Sequence, residues 1–236
     1  TCTRLFVVIK RQMKNNVIKL LIFGILIFTS CKKHKKNKIP EGAFPIVYEG
    51  HLYIKGSVNG IEGNYAFDTA ATNLYLDDYH YSNNNFKYKN TSVGILPGVG
   101  TKPQRVTVII DSVQFNLGGN LFKTNGVPVL KLKPILGDIA DGILGIEYFN
   151  NSVLEINYEN KYMKIYSNID SADIYGWDKI ELTKKDNRLY IPLTVTVNDT
   201  INISGNYLLD FGSGRTISLT SLISEEHNLI DNIDNK

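Results

Sequence analysis

The chain has 236 residues, 43% hydrophobic and 21% charged, ordinary proportions for a globular protein with room for one large domain or two small ones. Its formal charge of +3 is unevenly spread: ten of the 26 basic residues lie between Arg4 and Lys38, and no acidic residue precedes Glu41. The remainder is net negative by about seven charges, which argues against a nucleic-acid surface.

The sequence opens on Thr1, and Met13 reads as the natural start, with residues 1–12 as upstream translation. Residues 13–30 have the order of a signal peptide: Lys14 and Lys19 supply a basic stretch, and an apolar run over 20–29 is too short to span a bilayer comfortably. A plain transmembrane anchor over 17–30 is the alternative. Phe28-Thr29-Ser30-Cys31 resembles a bacterial lipobox, which implies lipidation at Cys31 and a lipid-anchored place in the bacterial cell envelope, periplasmic or at the cell surface. Residues 31–43 then form a basic tether, and near anionic headgroups each basic residue adds up to ~1 kcal/mol of attraction. Cys2 and Cys31 both precede the folded region, so that region has no internal disulfide.

From about residue 44 the pattern is that of short strands, with many Val, Ile, Thr and Tyr. A strand over 51–58 is expected to turn at Asn59-Gly60 and return over 63–67 into Asp68. Residues 73–76 continue extended, and 77–85 read as a polar loop or short helix. Further strands are expected over 105–110, 112–117 and 127–132. A glycine-rich turn spans 94–100, where Gly98, Val99 and Gly100 are candidates for a flap over a cleft, with an ordinary hairpin tip as the plainer expectation. Asp141-Gly142-Ile143-Leu144-Gly145 follows, and then a hairpin over 152–166.

After a boundary over 171–176 the chain repeats itself. Leu189-Tyr190-Ile191 echoes Leu52-Tyr53-Ile54, and Gly205-Asn206-Tyr207-Leu208-Leu209-Asp210 echoes Gly63-Asn64-Tyr65-Ala66-Phe67-Asp68. A period of roughly 140 residues is too long for a solenoid and suits a duplicated lobe. Each copy runs an apolar strand into an Asp followed by small residues. One such Asp is most simply a turn former; two in a repeat suggest a pair of carboxylates sharing a proton. The four histidines lack metal-ligand spacing, and no metal or cofactor is expected. Asp210-Phe211-Gly212 has none of the companion motifs of a kinase.

These residues resemble the pepsin and retropepsin superfamily of aspartic peptidases, most closely its bacterial retropepsin-like group. The likeness rests on Asp68-Thr69-Ala70-Ala71, on Ile143-Leu144-Gly145 and on Asp210-Phe211-Gly212-Ser213. It implies a mostly-β fold of two barrel-like lobes, with residues 44–170 as the first lobe and 171–236 as the start of a second, truncated one. It also implies an aspartic endopeptidase in which Asp68 and Asp210 activate a water against a peptide or protein substrate. Two departures stand out. Ala70 replaces the family's Gly, and its Cβ is expected to crowd the approach of the two loops. Phe211 replaces a hydroxyl that cross-links the loops in the family, so half of that grip is lost. An inactive peptide- or partner-binding protein on the same fold is therefore the alternative, and a dimer of single lobes pairing two copies of Asp68 is a third. Ser213 is expected to hydrogen-bond Asp210, leaving the shared proton on Asp68, while Asp141 is expected to shape the turn before Ile143.

Overall fold

A computed structural model describes residues 6–8, 39–96, 103–172 and 174–232. The protein is mostly β. In chain order the elements are β1 (Phe6–Val8), β2 (Ala43–Tyr48), β3 (Leu52–Val58), β4 (Ile61–Asp68), β5 (Leu74–Asp77), α1 (Asp78–Asn83), β6 (Thr91–Leu96), β7 (Gln104–Ile109), β8 (Val113–Leu117), β9 (Asn120–Thr124), β10 (Val127–Leu130), α2 (Lys133–Leu136), β11 (Gly142–Gly145), β12 (Val153–Asn157), β13 (Tyr162–Tyr166), β14 (Thr183–Lys185), β15 (Arg188–Thr196), β16 (Asn202–Leu208), α3 (Ser221–Glu226) and α4 (Leu229–Asn232). Residues 13–38 and the 98–100 turn lie outside the described residues, and with them Cys31, Gly98, Val99 and Gly100.

The larger sheet runs in the order β1-β12-β13-β2-β3-β4-β11-β5-β10-β7-β6, and the β8–β9 hairpin joins it through β3. Its centre is β4, which pairs antiparallel with β3 on one side and parallel with β11 on the other. The turn between β3 and β4 is Asn59-Gly60, both at positive φ, the geometry that matches the twist of a two-residue hairpin. Tyr65, Ala66 and Phe67 are all fully buried, which explains an apolar run without alternation: β4 is covered on both faces. Tyr65 and Phe67 enter the main core with Leu52, Ile54, Phe115 and Leu144, whereas Ala66 joins Tyr53, Leu132, Leu136 and Ala140 in a second cluster beneath α2. At the sheet's flank the ordinary alternation holds, with Val113, Phe115 and Leu117 of β8 buried and Gln114 and Asn116 exposed.

Asp77 anchors the far side of this core. It is fully buried, and its carboxylate accepts from the backbone N–H groups of Tyr79 and His80 as the cap of α1, and from those of Leu132 and Lys133 at the start of α2. The Asp141 side chain reaches beyond its own turn, taking the Asn64 N–H of β4 at 2.9 Å and meeting His80 at 3.3 Å and Lys133 at 3.7 Å. Burial would raise the Asp141 carboxyl, but His80, the Asn64 N–H and Lys133 outweigh it and hold the group below the usual carboxylate range.

The second sheet has three strands, β14-β15-β16. Its hairpin reproduces the register of the first relative to the aspartates. Tyr53 pairs with Ala66 and Tyr190 with Leu208, each partner two residues before its Asp. The longer separation in the second copy comes partly from the wider 197–201 turn and partly from an extra strand pair, Thr196 with Asn202. β16 is not a buried strand like β4: Ser204, Gly205, Asn206 and Leu208 are exposed, because among the described residues β16 has β15 as its one sheet partner.

Candidate active site

Asp68 is the last residue of β4, and its position follows from what crosses behind it. β11 lies between β4 and β5, so the chain from Asp68 to Leu74 must pass over the end of β11. Gly145 N–H donates to Asn73 O at 2.9 Å and Ile146 N–H to Ala71 O at 3.0 Å, pinning that loop. Gly145 has to be glycine on spatial grounds, since a Cβ there would lie 2.5 Å from the Thr72 carbonyl carbon. Ile143 and Leu144 pair with Ala66 and Phe67, so the Ile-Leu-Gly run stands directly against the strand that delivers Asp68.

Within the loop, Ala70 and Ala71 donate their backbone N–H groups to Asp68 Oδ1 at 2.7 and 3.1 Å. Thr69 points the other way and is fully buried. Its hydroxyl donates to Leu209 O at 2.5 Å and accepts from Phe211 N–H at 3.0 Å, tying the first loop to the second. The Phe211 ring makes no such bond; it stacks on Phe67 with centroids 5.9 Å apart and packs against the main core. The loss of the second hydroxyl is thus met by an apolar contact at the same junction.

Gly212 completes the approach. A Cβ on it would fall 2.5 Å from Asp68 Cγ, so the second loop lies directly on the Asp68 carboxyl group. Neither Ala70 nor Gly212 has a positive φ: glycine is required at 212 on spatial grounds, while Ala70 keeps its N–H bond to Asp68 without a strained backbone.

Burial and the neighbouring Asp210 carboxylate push the Asp68 carboxyl up to about 6, against the lowering effect of the two backbone N–H bonds. Asp210 Oδ1 is buried without a hydrogen-bond partner. The expected bond from Ser213 is not formed: the Ser213 hydroxyl instead accepts from Arg215 N–H at 3.2 Å, in a tight local turn. Burial and Asp210, not Ser213, are what raise the Asp68 carboxyl.

The structure therefore gathers Asp68, Thr69, Ala70, Ala71, Asp210, Phe211 and Gly212 over the Ile143–Gly145 strand, with Ser213 at the edge. It adds two side chains that the sequence did not single out for this role. His51 Nδ1 lies 2.6 Å from Gly212 O, and Arg188 Nε donates to Ala70 O at 3.4 Å. Their one visible signal is that each directly precedes the repeated Leu-Tyr-Ile. Among the described residues no three His, Cys, Asp or Glu side chains gather as metal ligands. The β6–β7 hairpin keeps its pairing as far as Leu96 with Gln104, so residues 94–96 of the expected glycine-rich turn are strand instead.

No family model matches the chain, and no curated protein matches it significantly. Among solved structures it is similar to a retropepsin-like aspartic protease from Rickettsia conorii, at 18% identity over 52% of this chain and 89% of that one, with a TM-score of 0.37. So low a score establishes neither family nor activity, and the chemistry has to come from the site itself.

Proposed function

We propose that the protein is an aspartic endopeptidase in which Asp68 and Asp210 share one proton and activate a water against a peptide bond. The observation that carries this is the Asp68 carboxyl, raised by burial and by Asp210 at a loop junction built from both copies of the repeat. Two carboxylates this close do not both ionise readily. Asp68 Oδ1 is occupied by two N–H donors, which leaves Oδ2 to hold the proton. Asp210 takes a proton from the water as it attacks the carbonyl carbon, and Asp68 donates its proton to the carbonyl oxygen. The tetrahedral intermediate then collapses: the C–N bond breaks as Asp210 passes its proton to the leaving amine, and a hydroxyl of the intermediate returns one to Asp68.

We also infer that β14–β16 begin a second lobe related to residues 44–170, supported by the shared register of the two hairpins relative to their aspartates. The contact between Gly212 and Asp68 within one chain favours this over a pairing of two single lobes. An inactive binding protein is the second reading, favoured by the unpartnered Asp210 Oδ1 and by Phe211 in place of a hydroxyl.

The deciding experiment is peptide cleavage from acid to neutral pH by the parent and by Asp68→Asn and Asp210→Asn. The expected result is cleavage by the parent that each substitution abolishes. A folded parent that cleaves nothing at any pH would leave the binding protein standing. Lipid anchoring through Cys31 is a separate proposal, resting on the lipobox-like Phe28-Thr29-Ser30-Cys31. Labelled fatty acid should be incorporated in bacterial cells and lost in Cys31→Ser; equal labelling of both would refute it.

A further inference from the structure

We propose that His51 and Arg188 are the two arms of a reciprocal clamp, positioning residues that each hold the active-site loop of the opposite hairpin. His51 directly precedes Leu52-Tyr53-Ile54, and Arg188 directly precedes Leu189-Tyr190-Ile191. The hairpins that follow share one register relative to Asp68 and Asp210, so His51 and Arg188 occupy equivalent places. Their acceptors are equivalent too: Gly212 O and Ala70 O each belong to the second residue after an Asp. A carbonyl oxygen cannot donate, so His51 Nδ1 carries a proton and gives it to Gly212 O.

The two arms are unequal. The His51 contact is short, at 2.6 Å, and half-buried, while the Arg188 contact is long, at 3.4 Å, and exposed. The stronger arm holds the loop that most needs it. Thr69 fastens the junction through its hydroxyl, but Phe211, at the equivalent place, has none to return. The turn before β3 adds to His51's hold, since a Cβ on Gly214 would lie 2.8 Å from Gly50 O, which leaves no slack between the turn and the loop. His51 is thereby the side chain that keeps Gly212 seated on Asp68, and through it keeps Asp210 opposite.

The geometric clamp stands without catalysis; only its effect on turnover rests on the peptidase reading. The test uses the full chain and follows the Asp68 carboxyl by NMR titration. His51→Phe keeps a ring and removes the donor, and His51→Gln keeps a donor. His51→Phe should lower the Asp68 titration midpoint by about one pH unit as Asp210 moves away, with His51→Gln falling clearly less. Where cleavage is measurable, kcat should fall about tenfold at unchanged KM. Asp210→Asn is the control, and should lower the midpoint whatever the clamp does. If that control moves the midpoint and His51→Phe does not, the clamp is overturned while the carboxylate pair stands. If the parent cleaves nothing but His51→Phe shifts the midpoint, the clamp stands and the peptidase reading fails. Should His51→Phe not fold, exposed Arg188→Met against Arg188→Lys decides: a midpoint lowered in the first and restored in the second upholds the clamp, and no change in either overturns it.

Discussion

Asp68 is held by opposed influences, and their net direction gives the fold a pH dependence of its own. Two backbone N–H groups favour its charged form, while burial and Asp210 disfavour it and prevail, lifting the group to about 6. A carboxyl whose folded pKa is raised lends stability at low pH, fully present below the unfolded value near 3.8 and lost as pH rises through about 6. The fold should therefore lose up to about 3 kcal/mol from this group between roughly pH 4 and 7. Asp68→Asn should flatten that part of the curve in urea unfolding followed against pH. An unchanged slope would mean that Asp68 is not raised. Phe211 shows how a residue that breaks a motif can still serve its junction, because the ring that cannot grip stacks on Phe67 immediately before Asp68.

Among the elements, β11 decides where the site lies. Its four residues reach both β4 and β5, and Gly145 sits where the Asp68 loop crosses it. Gly145→Ala would drive a methyl into the backbone at Thr72, and should cost at least about 2 kcal/mol in urea unfolding, with Asp68 displaced as well. A loss below half that figure would show that the crossing is looser than its contacts. What made this element legible was the resemblance that singled out Ile143-Leu144-Gly145, not the run itself, because Ile135-Leu136-Gly137 repeats it at the end of α2. The β3–β4 turn was legible from its own residues, since Asn59-Gly60 admits two positive φ values at little cost. Other elements carried no such mark. β14 reads Thr-Lys-Lys, wholly exposed, with no apolar alternation to betray a strand. β9 follows Gly118-Gly119, both at positive φ, but its own residues are mostly exposed. Near the end lie two short helices, α3 and α4, neither long enough to leave a clear apolar period. His51 carried no sign beyond its place before the repeated Leu-Tyr-Ile, because the carbonyl it bonds lies 161 residues away.

On the scale of the molecule, the two copies of the repeat are alike in register and unlike in support. β4 is buried between two strands, whereas β16 has one strand neighbour among the described residues, with Leu193 and Leu208 of its hairpin 37% and 40% exposed. The repeat was readable from its Leu-Tyr-Ile and its aspartates, but not this asymmetry, since both strands carry similar apolar residues and differ in their neighbours. Elements with fewer buried contacts open at lower free energy than the core they lean on. Amide hydrogen exchange should therefore be slowest in β4 and β11 and clearly faster in β15 and β16; equal protection would refute this. Asp210 sits at the end of the less supported hairpin, so the lifetime of the carboxylate pair is set by how long that hairpin stays docked. On warming, the pair should come apart while the larger sheet is still intact, and any activity should vanish several degrees before the main calorimetric transition.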